Sequence, residues 1–131
     1  MNEAGTAGER FARALMAKDW GAVGDVVDAE IDVRALTPGR PWEAGTARDL
    51  ITGVLQSWFG PADDIYEVLG VTNDAVVDRR RVVYRFRVRN TDGDYVCEQT
   101  AYYDEVNQRV AKLRILCSGF VPSGRDIGPT T

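Results

Sequence analysis

Between Arg81 and Phe120 apolar and polar residues alternate with a period of two, the signature of strands that bury one face. Val82, Tyr84, Phe86 and Val88 take one parity, and Val83, Arg85, Arg87 and Arg89 take the other. Thr91-Asp92-Gly93-Asp94 predicts a tight hairpin, because Asp-Gly supplies the positive φ angles of a two-residue loop. A hairpin centred on Asp92-Gly93 sets Arg87 opposite Glu98 and Phe86 opposite Gln99, and residues paired in this way share a face. Cys97, Gln99, Ala101 and Tyr103 therefore join the apolar side. That side carries neither a carboxylate nor a histidine on these two strands.

Upstream the period changes. Phe11, Ala14, Leu15 and Lys18 recur at helical spacing, and Asp19 suits the N-cap of a second helix carrying Trp20, Val23, Val26 and Val27. Residues 31–36 alternate weakly as a short strand. Thr37-Pro38-Gly39-Arg40-Pro41 predicts a loop, since two prolines and a glycine leave few ladder donors. Thr46 is placed to cap a third helix whose apolar stripe is Leu50, Ile51, Val54, Leu55 and Trp58, with Gly60-Pro61 as its stop. Strands are predicted at 65–72 and 75–90 around a turn at Asn73-Asp74, and at 110–117 after Glu105-Val106-Asn107-Gln108. Helices first and antiparallel strands afterwards define an α+β domain, with three N-terminal helices packed on a strongly curved antiparallel sheet. Its expected limits are 9–121, between a flexible N-terminus (1–8) and a flexible C-terminal tail (122–131).

Composition narrows the function classes. A chain of 131 residues makes one domain that buries about two-thirds of its unfolded surface. No apolar run approaches the roughly 20 residues of a membrane-spanning helix, so no membrane partner is expected. The net charge of −4 argues against nucleic acid as the main partner. With no histidine, the chain lacks the commonest metal ligand and the commonest near-neutral acid–base group. Two cysteines give no metal-ligand spacing and no disulfide framework, so neither metal nor cofactor is expected. The first ten residues carry no secretory signal, which makes the cytoplasm the expected location.

Lys18-Asp19-Trp20 at the start of helix two is followed by Asp28-Ala29-Glu30-Ile31 leading into strand one. Gly45 then precedes helix three, and a closing hairpin joins Tyr102-Tyr103-Asp104 to Arg109-Val110. In this order, over about residues 9–121, the motifs resemble the nuclear transport factor 2-like superfamily, which includes SnoaL-like cyclases and ketosteroid isomerases. The resemblance implies a cone-shaped α+β barrel, with a bent sheet wrapped around a long helix, a ligand cavity at the open end, and a dimeric assembly. Ketosteroid isomerases of this kind use a carboxylate base near the end of strand one, a helix-one tyrosine and a protonated aspartic acid on a central strand. The matching positions here hold Arg34-Ala35, Phe11 and Ala101. Related dehydratases lean on histidine, epoxide hydrolases on an inward Asp-Arg-Asp set, and cyclases on a last-strand aspartate where Leu113, Arg114 and Ile115 stand. None of these recipes transfers.

Inward parity leaves Tyr84, Gln99 and Tyr103, with Asp32 or Arg34 at the mouth. In a catalytic site Asp32, close to the superfamily's base position, is the candidate base. Tyr84 and Tyr103 are then the hydrogen-bond donors and Gln99 the orienting group. Phe11, Trp42, Trp58, Phe86, Ala101, Leu113 and Cys117 are the candidate ligand-lining residues. The plainer alternative satisfies Gln99 through Tyr84 or Tyr103 inside the core and leaves Asp32 in solvent. Cys97 and Cys117 are expected to point inward as small buried hydrophobes, opposite one another if their hairpin centres on Asn107. The outer face combines an arginine stripe with Val83, Val96, Tyr102 and Leu116, the composition of a subunit interface, and predicts a homodimer through that face. Two functions remain open. One is a metal-free cyclase, isomerase or hydrolase of a polyketide- or terpenoid-like compound; the other is a non-catalytic ligand-binding or protein-interaction module.

Overall fold

The computed structural model describes residues 5–123, so the expected flexible ends at 1–4 and 124–131 lie outside the described residues. Two helices, α1 (Ala7–Met16) and α2 (Trp20–Val26), lead into β1 (Val27–Thr37) and β2 (Arg40–Ala44). A third helical segment runs as α3 (Ala47–Asp49), a π-helical stretch (Leu50–Leu55) and α4 (Gln56–Trp58). The strands β3 (Asp64–Val76), β4 (Arg79–Asn90), β5 (Gly93–Val106), β6 (Arg109–Cys117) and the short β7 (Val121–Pro122) complete the α+β domain. The sheet order is β2-β1-β6-β5-β4-β3, with β7 added to β5. It is mostly antiparallel, the exception being the parallel pairing of β1 with β6.

Local chemistry explains the helix ends. Thr6, Asp19 and Thr46 each accept a backbone N–H three residues on, from Glu9, Ala22 and Asp49. The Asp19 and Thr46 caps stand where the sequence predicts them, whereas the Thr6 cap draws residues 7 and 8, expected in the flexible leader, into α1. The π-helical stretch buries Leu50, Val54 and Leu55, a spacing that its wider i→i+5 turn gathers on one side. Lys18 turns the chain at φ 54 and its ammonium donates to the carbonyls of Gly60 and Asp63, tying the first helical pair to the end of the third.

Sheet parity follows the sequence, but several turns do not. The β4–β5 hairpin turns at Thr91-Asp92, because the Asn90 side-chain carbonyl accepts from Asp92 N at 2.8 Å and Gly93 N at 3.2 Å. Arg85, not Arg87, faces Glu98, and Tyr84, not Phe86, faces Gln99. A slip of two residues preserves which face each side chain occupies, so the inward set is unchanged. The predicted loop at Thr37 is instead a tight turn at Pro38-Gly39, with Gly39 at φ 81, which opens the edge strand β2 where Pro41 is tolerated. The β3–β4 turn falls at Val77-Asp78 rather than Asn73-Asp74. Asn73 and Asp74 stay in the ladder because their side chains are engaged, by Thr6 and by a bidentate Arg81. Asn107-Gln108, both at positive φ, close the β5–β6 hairpin, and a bulge near Glu105 sets Cys117 opposite Gln99 rather than Cys97.

The core fills the space between the inward sheet face and the helices. Val82, Tyr84, Phe86 and Val88 of β4, Cys97, Gln99, Ala101 and Tyr103 of β5, and Val110, Leu113 and Ile115 of β6 are buried. Phe11 and Leu15 of α1 are buried with them, and α1 contacts β3, β4, β5 and β6.

Candidate functional site

On the inward face the polar groups form one short chain. Tyr84 lies across the β4–β5 ladder from Gln99, and its hydroxyl donates to Gln99 Oε1 at 2.7 Å. With its carbonyl oxygen occupied, the Gln99 amide aims its Nε2 at the Cys117 sulfur, 3.3 Å away. The backbone N–H of Gly119 also donates to that sulfur at 3.3 Å, and the Cys97 Sγ lies 3.8 Å from it. Gly119 sits at φ 76, where glycine is favoured, and this exit from β6 turns its N–H back onto Cys117. Tyr84, Cys97 and Gln99 are fully buried, while Cys117 is half-buried.

Burial and hydrogen bonding together set the acidities here. Loss of solvent raises Tyr84 well above the usual phenol range, so the hydroxyl stays a proton donor. Cys117 is lowered to about 6, chiefly by the hydrogen bond from Cys97 and further by those from Gln99 and Gly119, against the opposing effect of burial. Cys97 is raised, for the same hydrogen bond requires it to keep its proton.

An aromatic series leads from these groups to the partly buried margin of the face. Tyr84 stacks near Phe86, Phe86 meets Phe59, Phe59 meets Trp58, and Trp58 meets Trp42 edge-on at 5.9 Å. Phe120 stacks on Phe59 at 5.9 Å. The Trp42 indole donates to Thr37 Oγ1 at 2.9 Å, and the Arg40 guanidinium lies 3.7 Å above its ring. The Trp58 indole N–H is buried and has no hydrogen-bond partner among the described residues.

The four residues named from sequence as catalytic do not form one cluster. Tyr84 and Gln99 are bonded to each other. Tyr103 lies four residues further along β5, about 13 Å away. Its hydroxyl is 3.1 Å from Thr6 Oγ1 and 3.3 Å from Asn73 Oδ1, and its ring presses on Gly8 of α1. Asp32 is on the opposite face of the sheet. Its neighbours Ile31 and Val33 are buried while its own carboxylate is exposed and pairs with Arg114 at 3.2 Å, which lowers its pKa. Asp32 therefore shares no site with Tyr84 or Gln99. Phe11, Phe86, Ala101 and Leu113 are buried wall residues, and Trp42, Trp58 and Cys117 stand at the partly buried margin. Sequence parity missed Gly119 and Phe120, which follow the last predicted strand, and Asn73, whose Asn-Asp context reads as a turn.

On the outer face an open groove of about 360 Å³ is lined by residues that include Arg34, Leu36, Pro41, Tyr102, Arg114 and Leu116. Among the described residues no group of three or more histidine, cysteine or acidic side chains could hold a metal ion, and no helix is long and apolar enough to cross a membrane.

No family model matches the sequence, and no curated protein matches it. Solved structures do match the fold. A proposed isomerase from Bacillus subtilis has a TM-score of 0.70 at 12% identity, over 90% of this chain and 90% of that one. A proposed polyketide cyclase from Xanthomonas campestris has a TM-score of 0.64 at 14% identity, over 84% and 86%. An LEH-like epoxide hydrolase of M. tuberculosis has a TM-score of 0.61 at 12% identity, over 86% and 80%. The chain thus has the nuclear transport factor 2-like fold that the order of its sequence motifs resembles. Those three neighbours carry three different named reactions, so the fold leaves the reaction open and the site must decide it.

Proposed function

We propose that this protein binds a small, mostly apolar molecule bearing a carbonyl or hydroxyl oxygen on the inward face of its sheet, and that binding rather than acid–base turnover is its primary role. The observation that carries this reading is the buried, unpartnered indole N–H of Trp58. A donor left unsatisfied in this way costs about 1–3 kcal/mol, which a ligand oxygen would recover. On this reading Trp42 and Trp58 flank the point where a ligand enters between helices and sheet, with Cys117 at its margin. Phe11, Phe86, Ala101 and Leu113 are the apolar residues the ligand would pack against, and Tyr84 and Gln99 the inward polar groups nearest to it. Polyketide- and terpenoid-like ketones have the required chemistry. The absence of Asp32 from the inward face argues against proton abstraction, since no other inward carboxylate replaces it on β4 and β5.

Calorimetric titration with 1-tetralone and with menthone tests the reading. Saturable binding that weakens about fivefold to tenfold in Trp58→Phe is the expected result. No saturable heat with either ketone, or equal affinity in the variant, would overturn it. A catalytic reading requires Tyr84 to turn its hydroxyl proton from Gln99 Oε1, 2.7 Å away, to a developing oxyanion. Turnover of a bound ketone that Tyr84→Phe abolishes would favour that reading over simple binding. The outer face, with Leu36 49% and Leu116 58% exposed beside the groove, is proposed as the homodimer surface. Leu116→Glu is expected to yield a monomer in sedimentation velocity.

A further inference from the structure

Cys97 and Cys117 carry an arrangement that ligand binding does not use. Two donors converge on the Cys117 sulfur, the Gln99 amide and the Gly119 backbone N–H, and the Cys97 sulfur lies 3.8 Å from it. The Tyr84 hydroxyl donates to the amide oxygen at 2.7 Å, which leaves Nε2 as the amide group that faces the sulfur. A sulfur ringed by donors is stabilised as the anion, and the thiolate is the nucleophilic form of cysteine. The two sulfurs also differ in access. Cys117 is half-buried at the margin of the sheet, while Cys97 is fully buried behind it at 3.8 Å.

We propose that Cys117 is an oxidant-reactive thiolate and Cys97 its resolving thiol, so that a hydroperoxide converts the pair into a disulfide between β5 and the end of β6. In the first step the Cys117 sulfur attacks one peroxide oxygen. A sulfur–oxygen bond forms, the oxygen–oxygen bond breaks, and the departing alkoxide or hydroxide takes a proton from solvent. Cys117 is then a sulfenic acid. In the second step Cys97 gives up its proton and attacks that sulfur; the sulfur–sulfur bond forms, the sulfur–oxygen bond breaks, and the oxygen leaves as water. Overall two thiols lose two electrons, and the hydroperoxide is reduced to an alcohol and water. An external thiol reverses the change by exchange.

The geometry assigns the order of events. Only Cys117 is accessible to the oxidant, and only Cys97 is close enough to intercept its sulfenic acid. The sulfurs must approach by roughly 2 Å to reach bonding distance, and because Cys97 lies diagonally across the ladder from Cys117 the backbone at the end of β6 must shift with them. The lowered acidity of Cys117 and the raised acidity of Cys97 agree with these roles. Closing the disulfide removes the anionic acceptor from Gln99 and with it one fixed point of the Tyr84–Gln99 pair. The inference does not rest on the ligand-binding reading, and its test uses no ligand.

The test treats the folded chain with stoichiometric hydrogen peroxide, blocks the remaining thiols with N-ethylmaleimide and reads intact and peptide mass. The wild type is expected to lose both alkylatable thiols together and to yield a Cys97–Cys117 cross-linked peptide that dithiothreitol reverses. Oxidation should run about twofold to threefold faster than that of free cysteine at neutral pH. Cys97→Ser should stop at a sulfenic acid that dimedone traps on Cys117, and Cys117→Ser should leave Cys97 unoxidised. Three results would overturn the proposal: two free thiols after peroxide treatment, a cross-link between different chains only, or equal peroxide reactivity in the two serine variants. Circular dichroism of both variants separates loss of chemistry from loss of fold. A variant that does not fold is replaced by the alanine substitution at the same position.

Discussion

The two faces of the β4–β5 hairpin are built from the same twenty-odd residues and handle polarity in opposite ways. On the inward face Tyr84 and Gln99 meet each other in a dry core, with a hydroxyl, an amide and two sulfurs linked end to end. On the outward face Arg85 pairs with Glu98, Arg87 with Glu67 and Arg89 with Asp94, all in contact with water. An inward polar group that loses its partner has no water to replace it, whereas an outward one exchanges its partner for solvent. The number of hydrogen bonds is therefore a poor guide to their consequence. The inward few should dominate both stability and reactivity.

The most severe test of that difference lies where α1 meets the sheet. A Cβ on Gly8 would overlap the edge of the Tyr103 ring at Cε1 and Cζ, and that ring is itself buried and held by Thr6 and Asn73. Gly8→Ala is expected to cost about 3 kcal/mol in chemical denaturation, despite alanine's better helix propensity. In a Tyr103→Leu background the same substitution should become neutral or mildly stabilising. Equal costs in the two backgrounds would show that the ring and the helix are not in contact.

Gln99→Leu comes next. It strands the Tyr84 hydroxyl in the core and is expected to cost about 1–3 kcal/mol. Adding Tyr84→Phe should recover part of that loss, because removing both partners of a buried pair is cheaper than removing one. A double variant no more stable than Gln99→Leu would mean that water or another group already serves Tyr84.

The inward half of this contrast was legible in the sequence. Alternation from Val82 to Tyr103 assigned every buried position on β4 and β5, and it tolerated a hairpin turn misplaced by one residue at each end. Parity survives a two-residue slip in register, which is why the residues were right while their partners were not. The site itself was less legible. Asp32 was placed by likeness to a base position, yet its own strand alternates Ile31 in, Asp32 out and Val33 in, which sends the carboxylate to the outer face. Gly119 contributes a backbone N–H, and no side-chain pattern announces one. Asn73 looked like a turn because its side chain reads so locally, while its actual partner, Thr6, is 67 residues away.

On the outer face the expected effects shrink. The Arg85–Glu98 pair, with side chains 56% and 38% exposed, should show a coupling of at most about 0.5 kcal/mol in a double-mutant cycle. That coupling should vanish in about 1 M salt, where the screening length is near 3 Å. A coupling that survives the salt would indicate that this face is covered, which would support the proposed dimer.

The smallest effect is expected at Asp32, and it bears on function. Arg114, with Arg34 and Lys112 nearby, lowers the Asp32 pKa below the ordinary carboxylate value of 3.8. A carboxylate lowered in the folded state stabilises the fold above its unfolded pKa, and that contribution is lost as pH falls through the folded value. Asp32→Asn should therefore lower stability slightly at neutral pH and leave it unchanged well below about pH 4, flattening the acid limb by that same small amount. Ketone affinity should also be unchanged, since the carboxylate lies on the far face of the sheet from Trp58 and Gln99. A marked loss of binding or turnover in Asp32→Asn, with the fold intact, would restore Asp32 as the base and erase the functional distinction between the two faces.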